Sequence, residues 1–227
     1  MPPCRVFSIS KLLPYVDALT WQYDLVRARQ GQEIPDTLLL LEHPPTITLG
    51  RGSAETDIFT SEEELTRRGV TVEHVDRGGE ITYHAPGQLV GYPILDLRQH
   101  GQDLHRYLRD LEEVIILSLA HYGLKGERIT GLTGVWVNAK KIAAIGIKVS
   151  RWVSMHGFAL NIDIGLTPFR RDLVPCGIRD RDVTSLAELL PGEYPTRGEV
   201  EATLLKSFAR VFEMSLTFTE DLGILPK

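Results

Sequence analysis

The chain has 227 residues, 43% of them apolar, and a formal net charge of −5, which suits one large or two small globular domains. No apolar run approaches the ~20 residues of a membrane helix, and the acidic balance lacks the basic face that general nucleic-acid binding requires. Two cysteines, Cys4 and Cys176, make no disulfide framework, which fits a reducing compartment. No apolar signal-peptide core follows Met1-Pro2-Pro3-Cys4-Arg5, so the expected location is cytoplasmic. Without an internal repeat or low-complexity tract to mark a linker, a single domain over residues 1–227 is expected, with a smaller C-terminal part from about Val183.

In chain order, Val16, Leu19, Tyr23 and Val26 recur at helical spacing within Leu13 to Gln30, and Gly31 provides a stop. Thr37 to Leu41 reads as a buried strand, broken by Glu42-His43-Pro44-Pro45 because proline lacks a ladder donor. Thr46 to Leu49 resumes, and a hairpin is expected, closed by Gly50-Arg51-Gly52. Thr60-Ser61-Glu62-Glu63 fits a capping box with Thr60 as cap, opening a short helix to about Arg68. Val70 to Val75 and Leu89 to Leu95 are strand-like. Asp103 can cap a helix with Leu104, Leu108, Leu111, Ile115 and Leu119 on one face, ended by Gly123. Gly134 to Val137, Ile142 to Val149 and Val153 to Ile162 read as antiparallel strands, with turns at Asn138-Ala139 and Ser150-Arg151. Thr167 to Arg181 reads as irregular. Thr184-Ser185 begins a short helix, and a Thr196–Glu199 capping box opens the last long one, whose apolar face is Val200, Leu204, Phe208 and Val211. Helices mixed with antiparallel strands, and no βαβ alternation, give an α+β fold with one mixed sheet covered by helices.

The stretch Arg77 to Tyr92 (Arg-Gly-Gly-Glu-Ile-Thr-Tyr-His-Ala-Pro-Gly-Gln-Leu-Val-Gly-Tyr) concentrates chemistry. Paired glycines let backbone approach a ligand closely, and a solvated loop has no need of Tyr83, His84, Gln88 and Tyr92 beside them. Cys176 sits in Leu173-Val174-Pro175-Cys176-Gly177-Ile178. A free cysteine is commonly a small buried hydrophobe. Here Gly177 leaves room for a carbonyl, and Arg170, Arg171, Arg179 and Arg181 supply the positive surroundings that favour a thiolate, although Asp172, Asp180 and Asp182 interleave. A thiolate nucleophile wants a base or cation beside it, and the candidates are Lys140, Lys141, Lys148, His84 and His156. Adjacent lysines on a strand point to opposite faces, and Lys141 leads into the apolar run Ile142 to Ile147. No Cys-x-x-Cys, His-Glu-x-x-His, Gly-x-x-x-x-Gly-Lys, Gly-x-Gly-x-x-Gly or Gly-x-Ser-x-Gly motif occurs, which argues against a metal site, a phosphate loop and a serine hydrolase. The residues alone point to a cysteine-dependent enzyme of open substrate.

Arg-Gly-Gly-x-x-Thr-Tyr-His-x-x-Gly-Gln-x-x-x-Tyr resembles the signature of the octanoyltransferases of lipoate biosynthesis, within the wider biotin/lipoate protein ligase group. The resemblance extends to Leu41-Glu42-His43-Pro44-Pro45, Gly134-Val135-Trp136-Val137, Lys141-Ile142-Ala143-Ala144-Ile145-Gly146, His156-Gly157-Phe158-Ala159-Leu160-Asn161 and Pro175-Cys176-Gly177-Ile178. It implies transfer of an octanoyl group from the phosphopantetheine thioester of acyl carrier protein to a lysine of lipoyl domains, those of 2-oxoacid dehydrogenase E2 subunits and the glycine cleavage H protein. Cys176 would form an octanoyl-thioester enzyme, and Lys141 would favour its thiolate and shuttle protons. Arg77, Gly78, Gly79, Glu80, Ile81, Thr82, Tyr83 and His84, with Ala144, Ile145, Gly146, Gly157, Phe158 and Ala159, would line the acyl pocket. The fold implied is that of the biotin/lipoate ligase catalytic domain, and no cofactor or metal is implied.

Two competing readings are an ATP-dependent lipoate or biotin ligase, which needs a nucleotide site and no nucleophilic cysteine, and a carrier-binding module that has lost its chemistry. A local basic patch containing Arg170, Arg171, Arg179 and Arg181 is expected to guide an acidic carrier.

Overall fold

Alternation along the strands sorts the apolar side chains onto the two faces of one large sheet. The computed structural model describes residues 1–173 and 182–219. Its elements are β1 (Pro3–Leu12), α1 (Tyr15–Gln30), β2 (Asp36–Glu42), β3 (Thr46–Leu49), α2 (Glu62–Arg67), β4 (Thr71–His74), β5 (Ile81–His84), β6 (Gln88–Ile94), α3 (Leu104–His121), β7 (Glu127–Ile129), β8 (Leu132–Val137), β9 (Lys140–Ser150), β10 (Val153–Asn161), α4 (Thr167–Arg171), α5 (Leu186–Leu189), α6 (Arg197–Val211) and β11 (Ser215–Phe218). The large sheet runs β11-β1-β2-β6-β10-β9-β8-β7 and a small one runs β4-β3-β5. Among the strands of the described residues, the β1–β11, β1–β2 and β3–β4 pairings are parallel and the others antiparallel.

One face of the large sheet carries Val6, Leu38, Leu40, Leu89, Ile145, Phe158 and Leu160, packed under α3 and α6. The other carries Phe7, Leu39, Leu41, Val90, Tyr92 and Ala159, and part of it lies under α1. A third cluster fills the small sheet with α2 and α4, through Ile47, Leu65, Ile81, Tyr83 and Phe169. From Val183 onward the chain adds to these same layers. Leu186, Val200, Leu204 and Phe208 lie in the α3-side core, and β11 pairs with β1.

Several expectations hold in detail. Asp103 caps α3 by accepting from His105 N and Arg106 N, Gly123 follows at φ +73, and the Thr196–Glu199 capping box is formed at both ends. Others are corrected. The hairpin expected at Gly50-Arg51-Gly52 is not formed: the antiparallel partner of β3 is β5, some thirty residues on, and His43-Pro44-Pro45 carries the chain from the large sheet into the small one. Ser61, not Thr60, caps α2, since the Thr60 hydroxyl is engaged by Asp172 at 2.8 Å. The β9–β10 turn sits at Arg151 and Trp152, both at positive φ, one position later than expected. Thr167–Arg171 is helical, begun by a proline at its first turn where a missing N–H costs nothing. The strand β1 went unforeseen, and its two parallel partners come from Asp36–Leu40 and from the far end of the chain.

Candidate active site

The site forms where the small sheet lies over the large one. On the covered face, β9 and β10 present small side chains, Ala144 and Ala159 as direct partners and Gly146 opposite Gly157. Small residues leave a trough where a sheet would otherwise fill the space. Ile81, Thr82 and His84 of β5 cover the trough, together with Arg77, Gly79 and Glu80. Val90, Tyr92 and Phe158 complete its walls, and the cavity is about 250 Å³.

The cover is held by backbone pairing. The turn after β3 zips against residues 77–80 through Arg51 N to Arg77 O at 3.1 Å and Gly52 N to Gly79 O at 3.0 Å. Gly79 has φ +82, a conformation costly for other residues. Gly146 is equally constrained, since a Cβ there would lie 2.7 Å from Gly78 O. Arg77 is nearly buried and donates from Nη2 to Thr48 O at 2.9 Å and Thr48 Oγ1 at 2.8 Å, and from Nη1 to Gly78 O at 3.2 Å. Its planar fork thus ties the 77–80 segment to β3.

Lys141 lies at one end of the trough, 8% exposed, with Nζ 4.9 Å from the Trp136 ring centroid. Gly131, Leu132 and Thr133 face the cavity beside it. Lys140 points the other way, 41% exposed, and pairs with Asp182 and Glu188. The strand's alternation therefore separates the two lysines as expected, and only Lys141 enters the cavity. Its backbone N donates to Asp182 O at 2.9 Å and its O accepts from Thr184 N at 2.9 Å.

The other end is polar and aromatic. Tyr15, from the start of α1, stacks on His84 with ring centroids 5.7 Å apart. Its hydroxyl reaches His156 Nδ1 at 3.5 Å. His156 Nε2 meets Asp76 at 3.0 Å, and Asp76 also accepts from Tyr23 and pairs with Lys148. Burial pushes His156 down to about 4 and His43 likewise to about 4, and it holds His84 well below the ordinary histidine value. These rings are therefore neutral near pH 7. Burial alone would raise the Asp76 carboxyl, but hydrogen bonds from Lys148, His156 and Tyr23 outweigh it and hold it below the usual carboxylate range. His84 Nδ1 contacts Gln88 Oε1 at 2.7 Å, Gln88 Nε2 donates to Asn161 Oδ1 at 2.9 Å, and Asn161 Nδ2 donates to Thr184 O at 2.9 Å. That chain of amides makes His84 Nδ1 a donor and leaves Nε2 without the proton.

Of the expected lining residues, Gly78 and Tyr83 are corrected. Gly78 donates its N–H to Ile147 O at 2.8 Å and does not line the cavity. Tyr83 turns to the far side of β5 and packs edge-on against Phe169 at 5.5 Å, because successive strand residues face opposite ways. Arg77, Gly79, Glu80, Ile81, Thr82, His84, Ala144, Ile145, Gly146, Gly157, Phe158 and Ala159 all line it with Lys141. Tyr15, Val90 and the Gly131–Thr133 stretch were missed. The Thr130-Gly131-Leu132-Thr133-Gly134 spacing is a sequence signal that could have found the last of these, whereas nothing local distinguishes Tyr15. Arg170 is paired with Asp182 and Glu188, and Arg171 with Asp172, so neither is offered as an unpaired cation of the expected patch. Cys176, Arg179 and Arg181 lie outside the described residues. Among the described residues, no helix is long and apolar enough to cross a membrane.

Comparison with known proteins matches this arrangement to a family. Residues 14–209 match the model of the lipoyl protein ligase A/B catalytic domain. An octanoyltransferase of Nostoc sp. strain PCC 7120 is 53% identical over 210 residues, 90% of each chain. One from Chloroflexus aggregans is 53% identical over 205 residues, covering 89% of this chain and 92% of its own. Among solved structures, a bi-partite lipoate protein ligase from Thermoplasma acidophilum superimposes with a TM-score of 0.74 at 17% identity, over 96% of this chain and 86% of that one. Lipoate-protein ligase A bound with ATP gives 0.75 at 16%, over 96% and 88%; at such identities the likeness is one of fold. The chain belongs to the lipoyl protein ligase A/B catalytic-domain family and, within it, to the octanoyltransferases, enzymes of lipoate biosynthesis.

Proposed function

We propose that this octanoyltransferase takes its acyl group from the phosphopantetheine thioester of acyl carrier protein, holds it on Cys176, and delivers it to a lysine of lipoyl domains. The acceptors are those of 2-oxoacid dehydrogenase E2 subunits and the glycine cleavage H protein. The observation that carries this reading is Lys141, buried at the end of a trough floored by small residues and bonded through its backbone to Asp182. Cys176 is 35 positions from Lys141 along the chain but only six from Asp182.

In the first step the Cys176 thiolate attacks the thioester carbonyl. The carbon–sulfur bond to the carrier breaks, and its thiol leaves with a proton supplied by the Lys141 ammonium. In the second, the acceptor amine attacks the acyl-enzyme, the amide forms, and Cys176 leaves as thiolate while Lys141 takes up the amine proton. Exchange of one thioester for another is nearly balanced, so neither ATP nor a bound cofactor is required, and amide formation drives the cycle. Two covalent steps imply ping-pong kinetics. Burying the eight-carbon chain in the trough contributes on the order of 5 kcal/mol, at ~0.8 kcal/mol per methylene.

The test is intact-mass measurement of the protein mixed with octanoyl-loaded carrier and no ATP. A single octanoyl adduct, absent in Cys176→Ala and discharged by a lipoyl domain, is expected. Modification of the lipoyl domain only when ATP and free octanoate are supplied would replace this reading with a ligase. Tight carrier binding with neither adduct nor modification would leave a binding module.

A further inference from the structure

Glu112 lies in α3, on the face of the large sheet away from α1, and its side chain is fully buried. A carboxylate is rarely so buried unless fully partnered. Glu112 Oε2 accepts from Arg109 Nη1 at 2.6 Å and Arg128 Nε at 3.0 Å, and Oε1 accepts from the Gly134 backbone N at 3.1 Å. Arg128 also donates to Arg109 O and Glu113. The carboxylate therefore grips both strands of the β7–β8 hairpin, one on each side of Gly131, Leu132 and Thr133, the stretch that faces the cavity.

Gly134 is also where the hairpin meets Lys141. Its φ is +127, and a Cβ there would lie 2.7 Å from Ala143 O and 3.2 Å from Lys141 Cε. The lysine side chain thus lies directly against the backbone unit whose N–H Glu112 holds. We infer that Glu112 is a positioning residue for Lys141: by fixing Gly134 from behind the sheet, it sets where the ammonium sits in the cavity. The inference rests on the proposed role of Lys141, but the contact can be tested without it. A charged acceptor holds a backbone N–H more firmly than a neutral one, which gives a physical reason for a carboxylate at this site.

The experiment compares Glu112→Ala, Glu112→Gln and Glu113→Ala. Glu113→Ala removes a partner of Arg128 but leaves the Gly134 contact. The first readout needs no acyl transfer: the rate at which acetic anhydride modifies Lys141 in the unliganded protein, followed by peptide mass spectrometry. Several-fold faster modification is expected in Glu112→Ala, partial return towards wild type in Glu112→Gln, and no change in Glu113→Ala. The second is single-turnover octanoyl transfer, expected to slow by about 100-fold in Glu112→Ala, the scale of an ångström-level misplacement, with KM for the donor unchanged. Wild-type rates in both readouts for folded Glu112→Ala, or equal effects from Glu113→Ala, would overturn the inference. If Glu112→Ala does not fold, Glu112→Asp takes its place, retaining the charge but shortening the reach to Gly134. Absence of transfer in the wild type would count against the proposed function, while the modification rates would still decide the role of Glu112.

Discussion

The backbone amide of Lys141 donates to the carbonyl of Asp182 at 2.9 Å, and Lys141 O accepts from Thr184 N at 2.9 Å, so Lys141 forms an isolated parallel bridge with Val183, 42 positions further along the chain. Lys141 is thereby fixed by main-chain pairing with Asp182–Thr184, while its side chain lies in the cavity.

That arrangement separates the adjacent lysines. Lys141→Ala should lower octanoyl transfer by 10²–10⁴-fold, the range for loss of an acid–base group. Lys140→Ala removes only half-exposed pairs with Asp182 and Glu188, worth about 0–1 kcal/mol, and should leave transfer near wild type. Mass analysis of the acceptor domain after a fixed time reads both. Loss of activity in Lys140→Ala alone would reverse the assignment.

Chain length should respond to the trough floor. Ala144→Leu fills space between β9 and its cover and should shift preference towards shorter acyl groups. Each methylene is worth ~0.8 kcal/mol, or roughly fourfold, so octanoyl should lose more kcat/KM than hexanoyl or butanoyl in competition assays. An unchanged order would mean the chain lies elsewhere.

Arg77→Lys tests the fork that ties residues 77–80 to β3. Lysine cannot reproduce the donors to Thr48 and Gly78. The variant should lose about 2–3 kcal/mol of stability, since buried acceptors are left unmet, visible as a lower urea midpoint. A midpoint equal to wild type would show that Arg77 is not a structural tie.

Stability should also fall with acid. His43 and His156 have folded pKa values pushed by burial to about 4, and His84 shifts the same way, against ~6.5 unfolded. Between these values the unfolded chain takes up protons that the folded one refuses, so stability declines as pH drops from about 6.5 towards 4. Each histidine contributes up to about 1.4 kcal/mol per pH unit. Urea midpoints at pH 7 and pH 5 measure the slope, and His43→Gln should reduce it. Equal midpoints would mean that these rings are protonated in the fold.

Local patterns in the sequence were enough for the α+β class, the caps at Asp103 and Thr196 and the β8–β9–β10 meander, because periodicity and capping are properties of neighbouring residues, whereas the lining residues were implied by the resemblance to the octanoyltransferases. The split between Lys140 and Lys141 was also readable, since a strand alternates. Which of the two faces a cavity was not, for alternation assigns opposite faces without saying which is buried. Tertiary structure alone decided that β2 and β3 belong to different sheets, that β1 pairs with both β2 and β11, and that Tyr83 turns from the cavity while Tyr15 enters it. It alone brought Asp182 to Lys141 and Glu112 to Gly134. Contacts of that kind depend on where distant strands settle once their apolar faces are buried, and no local spacing records the outcome.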